Sequence, residues 1–114
     1  MIDVRYASPD DLPFVGQDAY ISPDIVRRKI EAREIVVAEI HRDPVGYVRI
    51  EYLWSRVPYI ALIRVMPEFQ RQGIGRSLLA FLEKELYAAG HRVLLSSSQA
   101  DEPEPQAWHV HMGF

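Results

Sequence analysis

One stretch of the sequence, residues 59–90, limits what this chain can fold into more than any other. It opens with an apolar, β-branched run at residues 60–66, which predicts a buried strand. The strand should end at Pro67, because proline has no N–H to donate to a sheet ladder. A loop with two glycines follows at residues 70–75, and an amphipathic pattern then predicts a helix that ends at Gly90. The predicted order is a strand, a glycine loop and a helix.

The predicted helix has one apolar face and one polar face. Its apolar residues recur mainly at every fourth position: Ile74, Leu78, Leu82 and Leu86, with Leu79 and Phe81 widening the stripe. The other face carries Arg76, Ser77, Glu83 and Lys84. Such a stripe is typical of a helix that packs on a sheet through one side only.

The start of this helix has the features of an anion site. The first N–H groups of a helix lack partners within it and lie at the positive end of its dipole. Gly73 and Gly75 let a ligand approach the backbone closely, and Arg71 and Arg76 flank the loop. The alternative is a plain turn from strand to helix that uses two glycines. The two arginines favour phosphate binding over that alternative.

Two common phosphate loops do not fit this sequence. The loop lacks the Gly-Lys-Ser/Thr ending of the Walker motif, and Leu78 stands where a dinucleotide-binding loop has its third glycine. What remains is Gln-x-x-Gly-x-Gly after an apolar strand that ends in Val-x-Pro. That pattern, residues 63–79 (IRVMPEFQRQGIGRSLL), resembles the signature of the GCN5-related N-acetyltransferase (GNAT) superfamily. The closing Met112-Gly113-Phe114 resembles the end of that family's last core helix.

The resemblance covers the second half of the chain, and the first half fits by the order of its elements. It implies an α/β (α+β) fold with a mixed, mostly antiparallel sheet, helices on its sides and a parallel central pair of strands. The patterns predict strands at 2–6, 34–40, 45–54, 60–66 and 92–97. They predict helices after Ser8, from Ser22 to about Arg33, over 74–90 and over 106–112.

The expected domain is a single unit, residues 1–114, that lacks the strands usually found after Gly-Phe in this family. Its fifth strand would then be an exposed edge, and unpaired edges favour association. We therefore expect a homodimer formed across this C-terminal edge.

The resemblance also implies a coenzyme A site with acetyl-CoA as co-substrate and no metal. Backbone groups of Ile63, Arg64 and Val65 would bind the pantetheine arm and the acyl carbonyl. The backbone of the loop would hold the pyrophosphate. That loop set is Gln70, Arg71, Gln72, Gly73, Ile74, Gly75 and Arg76.

Side-chain catalysts are suggested less directly. His109 stands where the family often has a tyrosine that protonates the thiolate, and an imidazolium can do the same near neutral pH. The alternative is a histidine packed beside Trp108. Ser97 and Glu102 replace residues that relatives use, which leaves Glu51 and Tyr59 as candidates for accepting the amine proton. Glu51 could also be a surface residue of the sheet.

Composition excludes several function classes. A net charge of −3 gives no basic field for nucleic acid, and the absence of cysteine excludes thiolate catalysis and cysteine-ligated zinc. No apolar run is long enough to span a membrane, so we expect a cytoplasmic enzyme whose acceptor is an amine-bearing small molecule or protein. Two other functions stay open: a CoA-binding relative without transferase activity, and an interaction domain that recruits a partner at its sheet edge.

Overall fold

The computed structural model describes residues 1–17, 21–97 and 108–111. For Ser97 and for residues 108–111 it describes the backbone alone. Six strands form one sheet in the order β1-β2-β3-β4-β5-β6, and every neighbouring pair is antiparallel except β4 and β5. The strands are β1 (Ile2–Tyr6), β2 (Ile35–Ile40), β3 (Asp43–Leu53), β4 (Val57–Val65), β5 (Leu94–Ser97) and β6 (Trp108–His111). The predicted mixed, mostly antiparallel sheet with one parallel pair is confirmed.

The helices cover both faces of the sheet. They are α1 (Leu12–Val15), α2 (Pro23–Glu31) and α3 (Ile74–Ala88), with 3-10 turns at Pro9–Asp11 and Pro67–Phe69. On one face α3 packs against a core that includes Val36, Val48 and Ile50. On the other face α1 and α2 pack against a second core that includes Val37 and Tyr47. Each sheet face therefore has its own apolar cluster, as alternating side chains require.

The helix predicted from the sequence is found with the predicted buried stripe. Ile74, Leu78, Leu82 and Leu86 are its buried residues. Gly90, with φ of +101°, ends the helix in a left-handed conformation. Its N–H donates to the carbonyl of Tyr87 at 3.0 Å, and the His91 N–H donates to the carbonyl of Leu86 at 3.0 Å. These two bonds form a Schellman motif, so the helix stops at a defined point.

Gly46 on β3 sets how closely α3 approaches the sheet. A Cβ at this position would lie 2.9 Å from the Arg64 carbonyl oxygen and 3.1 Å from Cγ2 of Ile74. Both distances are too short for a methyl group, so only glycine lets the start of α3 lie against the end of β4. Sequence reasoning gave Gly46 no such role.

The helix predicted over residues 106–112 is wrong, because Trp108–His111 forms strand β6. This strand pairs antiparallel with β5, so β5 is not the exposed edge that we expected. Trp108 and Val110 are residue types that favour strands. Pairing with β5 also supplies backbone hydrogen bonds, whereas so short a helix would be marginal by itself. The predicted dimer contact across β5 loses its basis, and the outer strand at this side is β6.

Two details of the first half emerge only from the structure. On α2, Ile25 is 40% exposed, whereas Lys29 is buried. Strand β3 begins at Asp43, two residues earlier than predicted, because His41 and Arg42 make a two-residue turn, both with positive φ. The expectations for Glu102 and for residues 112–114 fall outside the described residues.

Candidate functional site

The first turn of α3 lies just beyond the end of β4 and is left open. Gly73 occupies the N-cap position with φ of +82° and has no side chain to bond the first N–H groups. Within residues 21–97 no side chain caps this end, and the first turn contains no acidic residue. A helix start normally uses such groups to satisfy its N–H donors and its dipole. Here the donors remain available to a ligand.

The space above the two glycines is not filled by the protein. A Cβ placed on Gly73 would meet no heavy atom within 4 Å, and one on Gly75 would meet only Cδ1 of Ile63, at 3.9 Å. Packing against the described residues therefore does not require glycine at either position. At Gly73 the positive φ favours glycine, whereas at Gly75 the space beside the backbone is left open by the described residues.

Side chains of the loop hold it in place and give it positive charge. Nε2 of Gln70 donates to the Val65 carbonyl at 3.3 Å, and Nε2 of Gln72 donates to the Glu68 carbonyl at 3.3 Å. Arg71 takes a left-handed conformation with φ of +67°, which is uncommon for a residue with a side chain. Arg71 and Arg76 are exposed, and neither makes an ion pair with any residue that the structure describes.

Strand β4 contains a β-bulge before it reaches the loop. Opposite the step from Arg49 to Ile50 in β3, β4 contains one extra residue, Ala61, which makes the bulge. Strands β4 and β5 are in register at one position, Tyr59 opposite Leu95. Among the described residues, the backbone of residues 63–65 has no strand partner on the side away from β3.

The bulge also decides which way the side chains of β4 point. Ile63 and Val65 pack against the core under α3. Arg64 lies between them, is exposed, and stands opposite Tyr47, a residue of the core on the other face. The backbone predicted to bind coenzyme A thus separates the α3 face from a face that presents Arg64.

Glu51 and Tyr59, the two candidates for accepting the amine proton, are brought together. They are direct cross-strand partners on β3 and β4. Oε1 of Glu51 lies 3.0 Å from Nζ of Lys29, and the Glu51 side chain is 45% exposed. Nζ of Lys29 also bonds Oε1 of Glu34 at 2.9 Å and the Ile50 carbonyl at 2.8 Å. All three donors of this buried ammonium are used, so Lys29 fixes the position of Glu51.

His109 lies in β6 and not in a helix. Its backbone is in register with Ser96 of β5, so one strand separates it from β4. Strands in a sheet lie about 4.8 Å apart, which puts the β6 backbone roughly 10 Å from that of β4. The side chain of His109 is outside the described part of the structure, and so is that of Ser97.

Sequence reasoning missed the bulge at Ala61, the close contact at Gly46 and the buried Lys29. Lys29 had a signal, because it falls on one helical stripe with Val26 and Ile30. The other two had none, since a bulge and a close approach depend on the partner strand and helix.

Two surface hollows lie away from this site. One, of about 110 Å³, is lined by Pro9, Leu12, Arg27, Ile30 and Glu31. The other, of about 260 Å³, lies beside the start of β4 and includes Arg56, His91 and Arg92. Neither contains a residue of the predicted site at the β4–α3 junction. Among the residues described, no group of His, Asp or Glu side chains is placed to hold a metal ion, and no helix is long and apolar enough to cross a membrane.

Several solved structures share this fold. N-acetylglutamate synthase from Neisseria gonorrhoeae, complexed with coenzyme A and N-acetyl-glutamate, superposes with a TM-score of 0.75 at 21% identity. The match covers 88% of this chain but only 26% of that one. The ribosomal-protein-S18-alanine N-acetyltransferase of Escherichia coli gives 0.71 at 20% identity, with 90% and 70% covered. An acetyltransferase of Bacillus cereus gives 0.69 at 22%, with 89% and 73% covered.

Sequence comparison gives the family. A search of curated protein sequences found no match. A model of the acetyltransferase (GNAT) family, by contrast, matches residues 4–114. Since that match includes β4, the glycine loop and α3, and spans nearly the whole chain, this protein belongs to the acetyltransferase (GNAT) family, whose members are acyl-CoA-dependent N-acetyltransferases.

Proposed function

We propose that this chain transfers an acetyl group from acetyl-CoA to an amine by direct attack. The observation that carries the proposal is the start of α3. It has no side-chain cap and no acidic residue in its first turn, it carries two exposed arginines, and it follows a strand whose last residues have no partner on the side away from β3 among the described residues. Open N–H donors, positive charge and a free strand edge suit a pyrophosphate joined to an extended amide-containing arm.

The binding roles follow from that arrangement. The N–H groups of residues 71–76 would hold the pyrophosphate, with the glycines giving room and the arginines adding charge. The unpaired edge of Ile63, Arg64 and Val65 would bond the amides of the pantetheine arm, much as an added strand would. One of those N–H groups would also polarise the thioester carbonyl. Gln70 and Gln72 would act by holding the loop in shape.

The reaction needs few side chains. The nitrogen lone pair of a neutral amine attacks the thioester carbon, so a C–N bond forms and the C–S bond breaks. The products are an N-acetyl amide and the CoA thiolate. The nitrogen loses one proton and the thiolate gains one. The reaction therefore needs one group that accepts a proton near the amine and one that donates a proton near the sulfur. No other co-reactant is required.

We propose Glu51, held by Lys29 and facing Tyr59, as the group that accepts the amine proton, directly or through water. The ion pair with Lys29 restricts the orientation of the Glu51 side chain. His109 is proposed as the donor to the thiolate, on the strength of its place in the family pattern. Its test is His109→Phe, which should lower the acetylation rate roughly 10²–10⁴-fold with little change in acetyl-CoA affinity.

The acceptor class, location and assembly are further parts of the proposal. The names of two similar structures include N-acetyl-glutamate and an alanine of ribosomal protein S18. A small molecule and a protein are therefore both candidate acceptors here. We propose a cytoplasmic location, because acetyl-CoA is made and used inside cells. A homodimer across the C-terminal side of the sheet would now pair through β6, the outer strand. Light scattering at micromolar concentration tests it, and a monomer would contradict it.

Thermal unfolding with and without acetyl-CoA tests the proposed function. A ligand that binds the native state raises the midpoint by mass action, and 100 times the dissociation constant contributes about 2.7 kcal/mol. The release of CoA thiol in the presence of a mixed amine panel then separates a transferase from a protein that only binds coenzyme A. An unchanged midpoint at millimolar acetyl-CoA would contradict the proposal.

A further inference from the structure

Arg64 has no structural task that the described residues reveal. It lies in an otherwise apolar strand whose neighbours Ile63 and Val65 pack into the core. Its side chain is exposed on the opposite face, and it makes no hydrogen bond or ion pair with any residue in the described ranges. A strand interior normally gains from an apolar or β-branched residue at such a place. Among the described residues, the guanidinium therefore has no partner.

Four acids among the described residues on this side of the sheet are paired with other cations. Asp11 and Glu39 both bind Arg5, at 2.7 Å and 3.0 Å. Glu34 and Glu51 both bind Lys29, at 2.9 Å and 3.0 Å. Arg5 itself stands in the same row across the sheet as Arg64, through Val37 and Tyr47. Of the two arginines in that row, one is saturated with carboxylates and the other faces solvent.

Arg64 is also next to the reacting atoms in the proposed function. Its own backbone is part of the segment assigned to the pantetheine arm and the thioester. Its side chain leaves that segment on the face away from α3, the face that carries Glu51 and Tyr59. Tyr59 and Arg64 are five residues apart, at most roughly 16 Å along a strand at about 3.3 Å per residue. The proposed proton acceptor and the Arg64 cation thus lie on the same face of the strand that is proposed to hold the thioester.

We propose that Arg64 binds a carboxylate of the acceptor, so that the substrates are amines that also carry a carboxylate. A guanidinium offers a planar fork of donors that matches a carboxylate and can bind it through two hydrogen bonds. The carboxylate has two sources, the α-carboxylate of a free amino acid and the side chain of an acidic N-terminal residue of a peptide. Polycationic acceptors would be repelled by the same group. The inference rests on the proposed acetyl transfer and adds the substrate class.

The test uses acceptor pairs that differ only in the carboxylate. L-alanine is compared with L-alaninamide, which tests the α-carboxylate. Peptides with a blocked C-terminus that begin with glutamate or glutamine test the side-chain source. Acetylation is followed by release of the CoA thiol for the wild type, Arg64→Gln and Arg64→Lys. Arg56→Gln, an exposed arginine in the turn before β4, is the matched control.

We expect the carboxylate member of one pair to be preferred by the wild type and by Arg56→Gln. Arg64→Gln should lower kcat/KM for that member roughly 10- to 100-fold, the cost of losing hydrogen bonds to a charged group, and change the amide little. Arg64→Lys should keep part of the preference, because it keeps the charge without the fork. Equal use of both members by the wild type, or a preference that survives in Arg64→Gln, would overturn the inference.

Calorimetric titration of the same proteins with CoA separates this inference from the proposed function. Equal CoA affinity in wild type and Arg64→Gln is expected. A weaker affinity in Arg64→Gln would assign the guanidinium to coenzyme A and overturn the inference. No CoA binding by any of the proteins would contradict the proposed function instead. If CoA binds but no acceptor is acetylated, the CoA-saturated protein is titrated with L-alanine and with the glutamate peptide. Failure of both to bind would overturn the inference.

Discussion

The two longer helices of this chain, α2 and α3, begin in different ways. At the start of α2 the Ser22 hydroxyl accepts from the Ile25 N–H at 3.4 Å, and Asp24 stands in the first turn. The start of α3 has Gly73 in the place of that serine and no acid in its first turn. Asp24 also neutralises Arg27 at 2.8 Å, whereas Arg71 and Arg76 have no ion-pair partner among the described residues. Helix α2 satisfies its own N-terminus, whereas α3 leaves its N-terminal donors to a ligand.

The 3-10 turn near the N-terminus also differs from α3 in how it begins. The 3-10 turn at Pro9–Asp11 is closed by its own carboxylate, because the Ser8 N–H donates to Oδ2 of Asp11 at 2.7 Å. Arg5 binds the same carboxylate at 2.7 Å. The starts at Pro9–Asp11 and of α2 thus use short polar side chains, which are the usual solution. The start of α3, the longest helix described, has no such side chain, and this is the reason to assign it a function.

The largest expected effect comes from giving α3 the acid that it lacks. Gly75→Asp should lower CoA affinity by at least about 100-fold, because a carboxylate repels the pyrophosphate and competes for the N–H donors. The fold should be kept or slightly stabilised, since an acid near a helix N-terminus is favourable by about 0.3–1 kcal/mol. Calorimetry measures the affinity, and urea unfolding measures the stability.

Gly75→Asn is the control for this substitution, because it has nearly the same size without the charge. We expect it to bind CoA more tightly than Gly75→Asp. Equal and severe loss in both variants would show that space and not charge limits binding. Unchanged affinity in Gly75→Asp would remove the phosphate assignment.

A substitution in the Pro9–Asp11 turn should lower the stability of the fold and leave CoA binding unchanged. Asp11→Asn should cost about 2 kcal/mol of unfolding free energy at pH 7, the scale of hydrogen bonds to charged groups. The hydrogen bond from Arg5 is the main reason that the pKa of Asp11 lies below its usual value. The carboxylate therefore stabilises the fold above its unfolded-state pKa, and that stability is lost as the pH falls through the lowered, folded-state pKa.

Urea unfolding of wild type and Asp11→Asn between pH 7 and pH 2 measures this contribution. The gap between the two proteins should narrow as the pH falls, while CoA affinity at pH 7 stays the same. A constant gap across the range would show that the ionised carboxylate is not the stabilising form.

Single arginines should have a smaller effect on binding. Arg76→Gln removes one exposed cation from the start of α3, and we expect CoA affinity to fall about 10-fold at low salt. The decrease should shrink as salt is added, because exposed charges are screened. Arg27→Gln, in the first turns of the closed helix α2, is the matched control and should bind CoA like the wild type. Equal losses in both variants would mean that only net charge matters.

The smallest effect is expected from opening the start of α2. Ser22→Ala should reduce stability by about 1 kcal/mol, the usual cost of losing an N-cap side chain. CoA affinity should not change, since no residue proposed to bind coenzyme A lies on α2. Thermal unfolding with and without CoA measures both quantities. A fall in CoA affinity would place α2 in the cofactor site and break the contrast between the two helices.

Much of this contrast could be predicted from the sequence. Ser22 and Pro23 marked one helix start, and the glycine loop with its arginines marked the other. The buried stripe of α3 was predicted because four apolar residues at a spacing of four leave one possible face. These are local signals, which act within one or two turns of the chain.

What could not be predicted depends on contacts between distant segments. The bulge at Ala61 is visible only in the register between β3 and β4, and an apolar run looks the same with or without it. The helix predicted over residues 106–112 follows from the family resemblance of Met112-Gly113-Phe114, whereas Trp108–His111 is a strand because it pairs with β5. The opposition of Glu51 and Tyr59 also depends on register, although each residue had been chosen from the sequence.

The central claim, that α3 leaves its N-terminal donors to coenzyme A, can be tested most directly by amide NMR. The backbone N–H signals of Gly73, Gly75 and Arg76 in ¹⁵N-labelled protein are followed during titration with acetyl-CoA, with those of Asp24 and Ile25 in α2 as the internal comparison. The account predicts large shifts in the first group with saturation at a single dissociation constant, and none in the second. Saturable binding that leaves Gly73, Gly75 and Arg76 unmoved would contradict it.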